Sequence, residues 1–327
     1  MTTQQNPVLS VRDLSIYFDT RFGPLRAVDG ITFDLAPGEI LGMVGESGAG
    51  KSLTGTAITG LLERPGRIDR GEIHFEGQRI DTLSAEEMRR LRGRKIGAIF
   101  QDPLTSLNPL MTVGQQLIQT IRTHLKLGQA AARQRAIDFL AEVGIPAPEA
   151  RVDQYPHQFS GGMRQRVVIA LALCAKPSLV IADEPTTALD VSIQAQILDL
   201  LKKMCRDHGA AVILVTHDMG VIAETADRVA VMYSGRIVEI GLVEKVVRDP
   251  HHPYSSGLMQ SIPRVGSGVE RLTQIDGAMP QLTDLPGGCA FHPRCPRALS
   301  ECKITQPTPV PVGSGQVACH LFQGETA

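Results

Sequence analysis

The sequence has no tryptophan and few aromatic residues of any kind, which make up 4% of its 327 residues. Its formal charge is only -1, because 33 Lys and Arg residues nearly balance 34 Asp and Glu residues. A protein that binds nucleic acid usually has a basic excess for the phosphate backbone and aromatic side chains on which bases stack. Since both are lacking, we expect no nucleic acid as the main partner.

The sequence also lacks a long apolar run and an N-terminal targeting segment. The longest apolar stretch, Val167 to Ala175, lies between two basic residues and is far shorter than the roughly 20 residues that span a bilayer. The first residues, Met1 to Pro7, are polar and have neither the basic nor the apolar region of a secretory signal. We therefore expect the chain to stay in the cytosol and to reach a membrane only through partner proteins.

Cysteine is scarce in the first two thirds of the chain, which contain only Cys174 and Cys205. In the reducing cytosol a disulfide framework is not expected, so clustered cysteines predict metal ligands or reactive thiols. The remaining cysteines lie near the C-terminus among Pro, Gly and Arg residues, and they are Cys289, Cys295, Cys302 and Cys319.

The hydrophobic pattern predicts an α/β protein with two domains. Short alternating segments from Val8 to Asp34 predict antiparallel strands, and Pro103 to Ala175 is mostly helical in pattern. Three apolar strands alternate with helices and predict a largely parallel sheet. These strands cover Ile40 to Val44, Ser178 to Ala182 and Ala211 to Val215. Beyond Val246 the chain is rich in Pro and Gly, so we predict a main domain over residues 1–248 and a small, loop-rich domain over 249–327.

The stretch "GESGAGKS", Gly45 to Ser52, matches the phosphate-loop pattern G-x-x-x-x-G-K-[ST] and stands between a predicted strand and a predicted helix. The glycines let backbone N–H groups face a phosphate, Lys51 supplies a charge for the β- and γ-phosphates, and the Ser52 hydroxyl can bind Mg²⁺. The sequence therefore predicts a site for a nucleoside triphosphate. The residues predicted to contact it are Gly45, Glu46, Ser47, Gly48, Ala49, Gly50, Lys51, Ser52 and Leu53.

The stretch "LVIADE" is an apolar strand that ends in two carboxylates. Asp183 is predicted to hold Mg²⁺, usually through water, and Glu184 to polarise the attacking water. Together with the phosphate loop, this pair predicts that the triphosphate is hydrolysed.

Further motifs resemble those of ATP-binding-cassette ATPases and follow in that family's order from about Val8 to Asp249. "FSGGMRQR", Phe159 to Arg166, resembles the family's signature motif, although Met163 stands where Gln is usual. The other motifs are Gln101 in "IFQDP", which resembles the Q-loop, "TALD" from Thr187 to Asp190, which resembles the D-loop, and His217 in "VTHD", which resembles the switch histidine. Phe18 stands where the family places an aromatic residue on adenine, with Tyr17 as the alternative.

This resemblance implies a phosphate-loop ATPase fold with an N-terminal antiparallel β-subdomain and a helical signature subdomain. It implies a catalytic set of Lys51, Gln101, Glu184 and His217, with Mg²⁺ held by Ser52, Gln101 and Asp183. Two cassettes would face head-to-tail with each ATP between them. The residues that would act on the partner's nucleotide are Ser160, Gly161, Gly162 and Met163, and Asp190 would also lie near it.

The C-terminal segment "HHPYSSGLMQSIPR", His251 to Arg264, and the following "LPGGCAFHPRCP" resemble the ATPase subunits of dipeptide and oligopeptide importers. The resemblance implies a peripheral subunit at the cytoplasmic face of the cell (inner) membrane that hydrolyses ATP to power peptide import. Its implied partners are a second homologous ATPase subunit, two transmembrane permeases and an extracytoplasmic peptide-binding protein. Nickel and metallophore importers share this layout, and soluble cassette ATPases of DNA repair or translation are a further alternative.

The spacing of the C-terminal cysteines allows them to converge on one centre, because five, six and sixteen residues separate successive members of a loop-like segment. Four thiolates suit either tetrahedral Zn²⁺ or a four-iron, four-sulfur (4Fe-4S) cluster. The segment lacks the C-x₂-C spacing of most zinc knuckles, and Pro296 directly after Cys295 is typical of cluster-binding loops, which favours the cluster. The resemblance to dipeptide importers indicates the same. We expect this metal centre to have a structural role, so nucleotide binding should be largely intact when a cysteine is lost.

Overall fold

The structure is a computed structural model that describes residues 6–21, 23–187, 189–261 and 275–323. Ala188 of the D-loop sequence and residues 262–264 of the importer-like segment lie outside the described residues, as does most of the polar N-terminus. The chain forms two compact units. The first unit comprises the described residues within 6–9, 35–40 and 82–214, and the second comprises those within 10–34, 41–81 and 215–323.

The elements are numbered along the chain. The strands are β1 (Leu9–Thr20), β2 (Gly23–Leu35), β3 (Ile40–Val44), β4 (Gly66–Phe75), β5 (Gln78–Arg79), β6 (Ile96–Ile99), β7 (Leu179–Asp183), β8 (Ala211–Thr216), β9 (Arg228–Tyr233), β10 (Arg236–Leu242), β11 (Val310–Val312) and β12 (Gly315–Val317). The α-helices are α1 (Lys51–Ile58), α2 (Ala85–Leu91), α3 (Pro103–Ser106), α4 (Val113–Leu125), α5 (Gln129–Glu142), α6 (Pro148–Arg151), α7 (Gly161–Leu173), α8 (Val191–His208), α9 (Met219–Thr225), α10 (Val243–Arg248) and α11 (Pro253–Gln260). Short 3-10 helices cover Pro156–Gln158, His292–Arg294, Glu301–Lys303 and His320–Phe322.

In the second unit, the N-terminal strands form a four-stranded sheet in the order β2-β1-β4-β5. Along β2 the residues alternate between buried and less buried positions over much of the strand, as expected when one sheet face covers a core. Strands β4 and β5 pair antiparallel, with His74 opposite Arg79. The antiparallel N-terminal subdomain is thus confirmed.

The second unit also contains strands in the order β11-β12-β10-β9-β3. Strands β3 and β9 are parallel, whereas β9 with β10, β10 with β12 and β11 with β12 are antiparallel. The prediction of a largely parallel sheet is therefore correct for only part of this unit. The reason is a two-residue turn at Ser234 (φ 45) and Gly235 (φ 81), because two successive positive φ values form a tight hairpin that turns the chain back.

The first unit contains β8, β7 and β6 as neighbouring strands, and β6 and β7 are parallel. Every residue of β8 is buried, as expected for a strand covered on both faces. The segment that is predicted to be mostly helical contains five helices, α3 to α7. Helix α4 begins with a capping box in which Thr112 accepts the N–H of Gln115.

The C-terminal region contains more regular structure than its Pro and Gly content predicts. Strand β12 pairs with β10 through Val317 opposite Glu239, and the N–H of Ala318 donates to the carbonyl of Val238 at 2.8 Å. The region after α11 therefore adds two strands to a sheet of the second unit. The division of the chain at residue 248, where α10 ends, stays a prediction.

Candidate functional site

The phosphate loop, residues 45–52, lies in the second unit between β3 and α1. Gly45 has a φ of 155, and a Cβ added there would lie 2.2 Å from the carbonyl oxygen of Met232. Gly50, the N-cap of α1, has a φ of 99, and its Cβ would lie 3.0 Å from the carbonyl oxygen of Ala27. The backbone therefore requires glycine at both ends of the loop.

Lys51 lies across the phosphate loop and is only 6% exposed. Its Nζ donates to the carbonyl oxygens of Gly45 at 2.7 Å and Glu46 at 3.1 Å. The first turn of α1 has no acidic residue, so the positive end of the helix dipole adds to the lysine charge. Ser52 follows in the same turn and is exposed. This arrangement of N–H groups, ammonium and hydroxyl suits a phosphate with its metal ion.

Phe18 and Tyr17 are adjacent residues of β1, so their side chains point to opposite faces of the sheet. The guanidinium groups of Arg26 and Arg67 lie over the Tyr17 ring, 5.6 and 5.8 Å from its centroid. Phe18 is half-buried, and its ring edge would lie 3.0 Å from a Cβ added to Gly66. Because Tyr17 already has two arginine partners, Phe18 is retained as the predicted adenine contact.

In the first unit, the parallel pairing of β6 and β7 brings Gln101 and Glu184 together, because parallel strands end at the same edge of a sheet. The Nε2 of Gln101 donates to Oε2 of Glu184 at 2.9 Å, and the Thr187 hydroxyl donates to the same oxygen at 2.8 Å. Glu184 has a φ of 45, a left-handed conformation that is uncommon for a residue with a side chain. Asp183 is the last residue of β7. The predicted carboxylates thus stand at a strand end, with Glu184 held by two donors.

The signature residues lie at the N-terminus of α7 in the first unit. Ser160 is the N-cap, and its hydroxyl accepts the N–H of Met163 at 3.4 Å. Gly161 is exposed, and Gly162 allows α7 to pack closely on α8, because a Cβ there would lie 2.8 Å from Cγ2 of Ile193. Ser160 and Gly161 therefore present a helix N-terminus at the surface of this unit.

Two further predicted residues flank helix starts. His217 is exposed and lies between β8 and Asp218, whose Oδ1 caps α9 by accepting the N–H groups of Gly220 at 2.8 Å and Val221 at 3.3 Å. Asp190 is exposed and is the N-cap of α8 in the first unit. The capped start of α9 thus fixes the backbone that follows His217.

The four C-terminal cysteines lie in the second unit, and the fold brings them together. Burial raises the pKa of the Cys289 and Cys295 thiols and raises the pKa of Cys319 to about 11. The charge of neighbouring thiolates raises these pKa values further, and this interaction connects every pair among Cys289, Cys295, Cys302 and Cys319. Cys174 and Cys205 differ, since burial alone is the main cause that raises the pKa of each to about 12.

Backbone contacts hold the cysteine segment, residues 289–319, in shape. The N–H of Cys289 donates to the carbonyl of Cys302 at 2.9 Å, and the N–H of Leu299 donates to the Cys302 sulfur at 3.4 Å. Among the residues that the structure describes, no group of three or more His, Cys, Asp or Glu side chains is arranged to hold a metal ion.

Two residues at the phosphate loop were missed by reasoning from sequence. The Tyr254 hydroxyl accepts the N–H of Glu46 at 2.9 Å, and Nη1 of Arg294 lies 3.1 and 3.0 Å from the two carboxylate oxygens of Glu46. These contacts join residues 208 and 248 positions apart, a separation that no periodicity can indicate. Their nearest sequence signal was the Pro- and His-rich stretch in which each partner lies.

No helix in the described parts of the chain has both the length and the hydropathy to cross a membrane.

Comparison with known families gives two matches along the chain. Residues 28–187 match the family described as ABC transporter. Residues 238–302 match the oligopeptide/dipeptide transporter C-terminal region.

The chain is similar to several ATP-binding proteins over nearly its whole length. It is 54% identical to the oligopeptide transport ATP-binding protein OppD of Bacillus subtilis, over 89% of this chain and 82% of that protein. It is 46% identical to the dipeptide transport ATP-binding protein DppD of Haemophilus influenzae, over 96% of this chain and 95% of that protein. The identity with DppD of Escherichia coli is 45%, over 96% of each chain.

Solved structures show the same cassette fold. A dimeric post-hydrolysis state of the ATP-binding cassette MJ0796, bound to ADP and Pi, is 27% identical with a TM-score of 0.64 and covers 72% of this chain and 98% of its own. CbiO1 of Clostridium perfringens, part of the ABC transporter complex cbiONQ, is 30% identical with a TM-score of 0.65 and covers 75% of this chain and 92% of its own.

Proposed function

This chain belongs to the ATP-binding-cassette transporter family, and from that membership we propose that it is the ATP-hydrolysing subunit that powers import of dipeptides or oligopeptides. The observation that carries the proposal is an identity of 45% or more with dipeptide and oligopeptide transport ATP-binding proteins over at least 89% of the chain. The phosphate loop and the carboxylates at the end of β7 supply the chemistry that such a subunit needs.

ATP binding is assigned to the phosphate loop, residues 45–53. The backbone N–H groups of the loop and the N-terminus of α1 receive the phosphate oxygens, and Lys51 neutralises charge on the β- and γ-phosphates. Lys51 now donates to two loop carbonyls, so the phosphates replace these acceptors when ATP binds. Phe18 contributes a face for the adenine ring.

Hydrolysis is assigned to Glu184, which orients and polarises the attacking water. The oxygen donors of Ser52, Gln101 and Asp183 would hold Mg²⁺, which would neutralise charge that develops on the phosphates. Because Nε2 of Gln101 donates to Glu184, the amide oxygen of Gln101 is left for the metal ion. His217 completes the catalytic set by donating to the γ-phosphate.

The signature residues are proposed to act on the nucleotide of a second cassette. Ser160 and Gly161 present an exposed helix N-terminus that suits a γ-phosphate, and the related cassette MJ0796 is described as dimeric. Gly162, Met163 and Asp190 are proposed to act on the same nucleotide of the second cassette. We propose a heterodimer with a homologous ATPase subunit, in which ATP binding closes the pair and hydrolysis releases it.

The remaining partners follow from the transport role. As the ATP-hydrolysing subunit of an importer, this chain is proposed to act with two separate permease chains and an extracytoplasmic peptide-binding protein. This subunit is therefore placed at the cytoplasmic face of the cell (inner) membrane as a peripheral protein.

The cysteine segment is proposed to hold a metal centre within a C-terminal domain of residues 249–327. A backbone hydrogen bond joins two of the four positions, since the N–H of Cys289 donates to the carbonyl of Cys302 at 2.9 Å, and four thiolates are a common ligand set for zinc and for iron–sulfur clusters. The four ligands are Cys289, Cys295, Cys302 and Cys319.

A 4Fe-4S cluster fits this segment better than Zn²⁺. The four cysteines lack the C-x₂-C spacing of most zinc knuckles, and Pro296 directly follows Cys295, as is typical of cluster-binding loops. The N–H of Leu299, which donates to the Cys302 sulfur, is the kind of hydrogen bond that tunes such clusters.

The proposed function is tested in the intact complex. Co-expression with its permeases and second ATPase subunit in proteoliposomes should give peptide uptake that depends on ATP and on the peptide-binding protein. A complex that hydrolyses ATP but accumulates Ni²⁺ chelates and no peptides would overturn the assignment of the solute. A chain that never co-purifies with permeases from detergent extracts would overturn the transport role itself.

A further inference from the structure

The phosphate loop is contacted at Glu46 by the C-terminal part of the second unit. The backbone N–H of Glu46 donates to the Tyr254 hydroxyl, and its carboxylate forms an ion pair with Arg294. Next along the loop, a Cβ added to Gly48 would lie 3.0 Å from the terminal methyl carbon of Met279. Three separate parts of the C-terminal region therefore meet one short stretch of the loop.

Arg294 is held firmly where it meets the loop, and its side chain is only 8% exposed. Its Nε donates to the carbonyl of Asp276 at 2.9 Å, and Nη2 donates to the carbonyl of Ile275 at 3.3 Å. Nη1 donates to Glu46 and lies 3.3 Å from the Tyr233 hydroxyl. A guanidinium fixed by several acceptors can hold its partner carboxylate in one place at little entropic cost.

An aromatic cluster of Tyr233, Tyr254 and Phe291 supports the same contact from behind. The Tyr233 ring centroid lies 4.7 Å from that of Tyr254 and 5.2 Å from that of Phe291, and both pairs pack edge to face. All three side chains are buried. Phe291 and Arg294 lie between Cys289 and Cys295, so the stretch that joins two of the clustered thiols also supplies the contacts to the loop.

We propose that Arg294 is a positioning residue for the phosphate loop, through which the cysteine segment sets the affinity for ATP. The inference rests on the proposed ATP-binding function and adds a role for the C-terminal region within it. Arg294 touches the carboxylate of Glu46 and leaves the phosphates to the loop, so it acts through the loop.

The physical basis is the cost of ordering the loop. The carbonyl of Glu46 accepts from Lys51, its N–H donates to Tyr254, and its carboxylate pairs with Arg294, so three groups of one residue are fixed. When Arg294 is lost, the loop samples more conformations, and ATP must supply the free energy to order it. The result is weaker ATP binding, with little change in the rate at which bound ATP is hydrolysed.

The test measures ATP binding and steady-state hydrolysis for Arg294→Met, Glu46→Gln and the double variant. We expect each single variant to raise the Kd and the KM for ATP about 10-fold, within the usual range of coupling between sites, and to leave kcat within about twofold. The ATP affinity of the double variant should be no lower than that of the weaker-binding single variant, because both substitutions break the same contact. Arg297→Met is the matched control, since Arg297 is exposed on the other side of Cys295 and should bind ATP as the parent does.

Several results would overturn the proposal. ATP affinity that is unchanged in both single variants would remove the positioning role, and so would a fall in kcat at constant KM. If the double variant recovered the parent affinity, Arg294 would act by screening the charge of Glu46 and not by positioning the loop. Glu46→Gln keeps the other contacts of Arg294, so it remains informative if Arg294→Met fails to fold. A parent chain that does not bind ATP would instead overturn the proposed function.

The link to the cysteines is tested with Cys295→Ser. Reasoning from sequence predicts that nucleotide binding survives the loss of a cysteine, whereas the contacts of Arg294 predict a weaker affinity for ATP. We expect Cys295→Ser to raise the Kd for ATP severalfold in the parent and to have no further effect in the Arg294→Met background. Equal ATP affinity of the parent and Cys295→Ser would show that the cysteine segment does not act on the loop.

Discussion

Glu184 combines an unusual backbone with two fixed donors. A left-handed φ of 45 is costly for a residue with a side chain, and such conformations are kept where the surroundings require them. Gln101 and Thr187 both donate to Oε2, so the orientation of the carboxylate is set by the ends of β6 and β7. This residue could be found from the sequence because strand and carboxylates are adjacent, but its contact with Gln101 depends on the pairing of two strands.

We predict that Glu184→Gln lowers ATP hydrolysis by about 100-fold or more, because an amide cannot polarise water as a base. ATP binding should remain, since the phosphate loop is unchanged. Phosphate release and nucleotide binding measure the two effects. Glu149→Gln, an exposed glutamate of α6 in the same unit, should retain full activity, and equal loss in both variants would contradict the catalytic role.

The burial of His252 predicts that the protein becomes less stable in acid. It is 1% exposed, and burial lowers its pKa to about 3. The unfolded chain takes up a proton near pH 6.5 and the folded chain only near pH 3, so stability should fall as the pH drops between these values, by at most about 1.4 kcal/mol per pH unit. His252→Asn keeps an acceptor for the N–H of Tyr254 and removes the titration.

Urea unfolding at pH 7 and pH 4.5 measures this effect. The difference in stability between the two pH values should be smaller in His252→Asn than in the parent. It should be unchanged in His157→Asn, the control at an exposed position of the first unit. An identical pH dependence in parent and His252→Asn would show that this histidine does not titrate on unfolding.

At the scale of elements, the close packing of α7 on α8 depends on a glycine of the signature. We predict that Gly162→Ala destabilises the protein by about 1–3 kcal/mol, because its Cβ would lie 2.8 Å from the Ile193 side chain and force the helices apart. Gly161→Ala is the matched control, since its Cβ would meet Leu189 at an ordinary 3.8 Å. Chemical denaturation measures both, and equal stabilities would show that the two helices can adjust.

The elements also show what a sequence can predict. Strands β3, β7 and β8 were predicted to within one residue because each is a short apolar run, a pattern that depends only on local sequence. The antiparallel strands after β9 were missed although the signal at Ser234 and Gly235 was present, because the alternation of strands and helices outweighed a two-residue turn. Strands β11 and β12 could not be foreseen, since three-residue strands have no measurable period and depend on β10.

At the scale of the whole molecule, we predict the metal content of the purified chain. Purified without oxygen, the chain should contain about four irons and show the brown absorption of a 4Fe-4S cluster. Because the raised thiol pKa values oppose deprotonation, metal binding should weaken as the pH falls. Cys319→Ser should lower the iron content, whereas Cys205→Ser, in the first unit, should not. A colourless protein with one zinc ion would contradict the cluster.

The last strand of the C-terminal sheet has a further consequence. Strand β11 lies at the edge of the strand order β11-β12-β10-β9-β3, and its middle residue is Pro311. Proline has no N–H to offer to another strand, so it discourages edge-to-edge pairing between chains. A truncated chain that lacks β11 and β12 would expose β10 in their place, a seven-residue strand without proline. We therefore expect such a truncated chain to aggregate more readily than the parent.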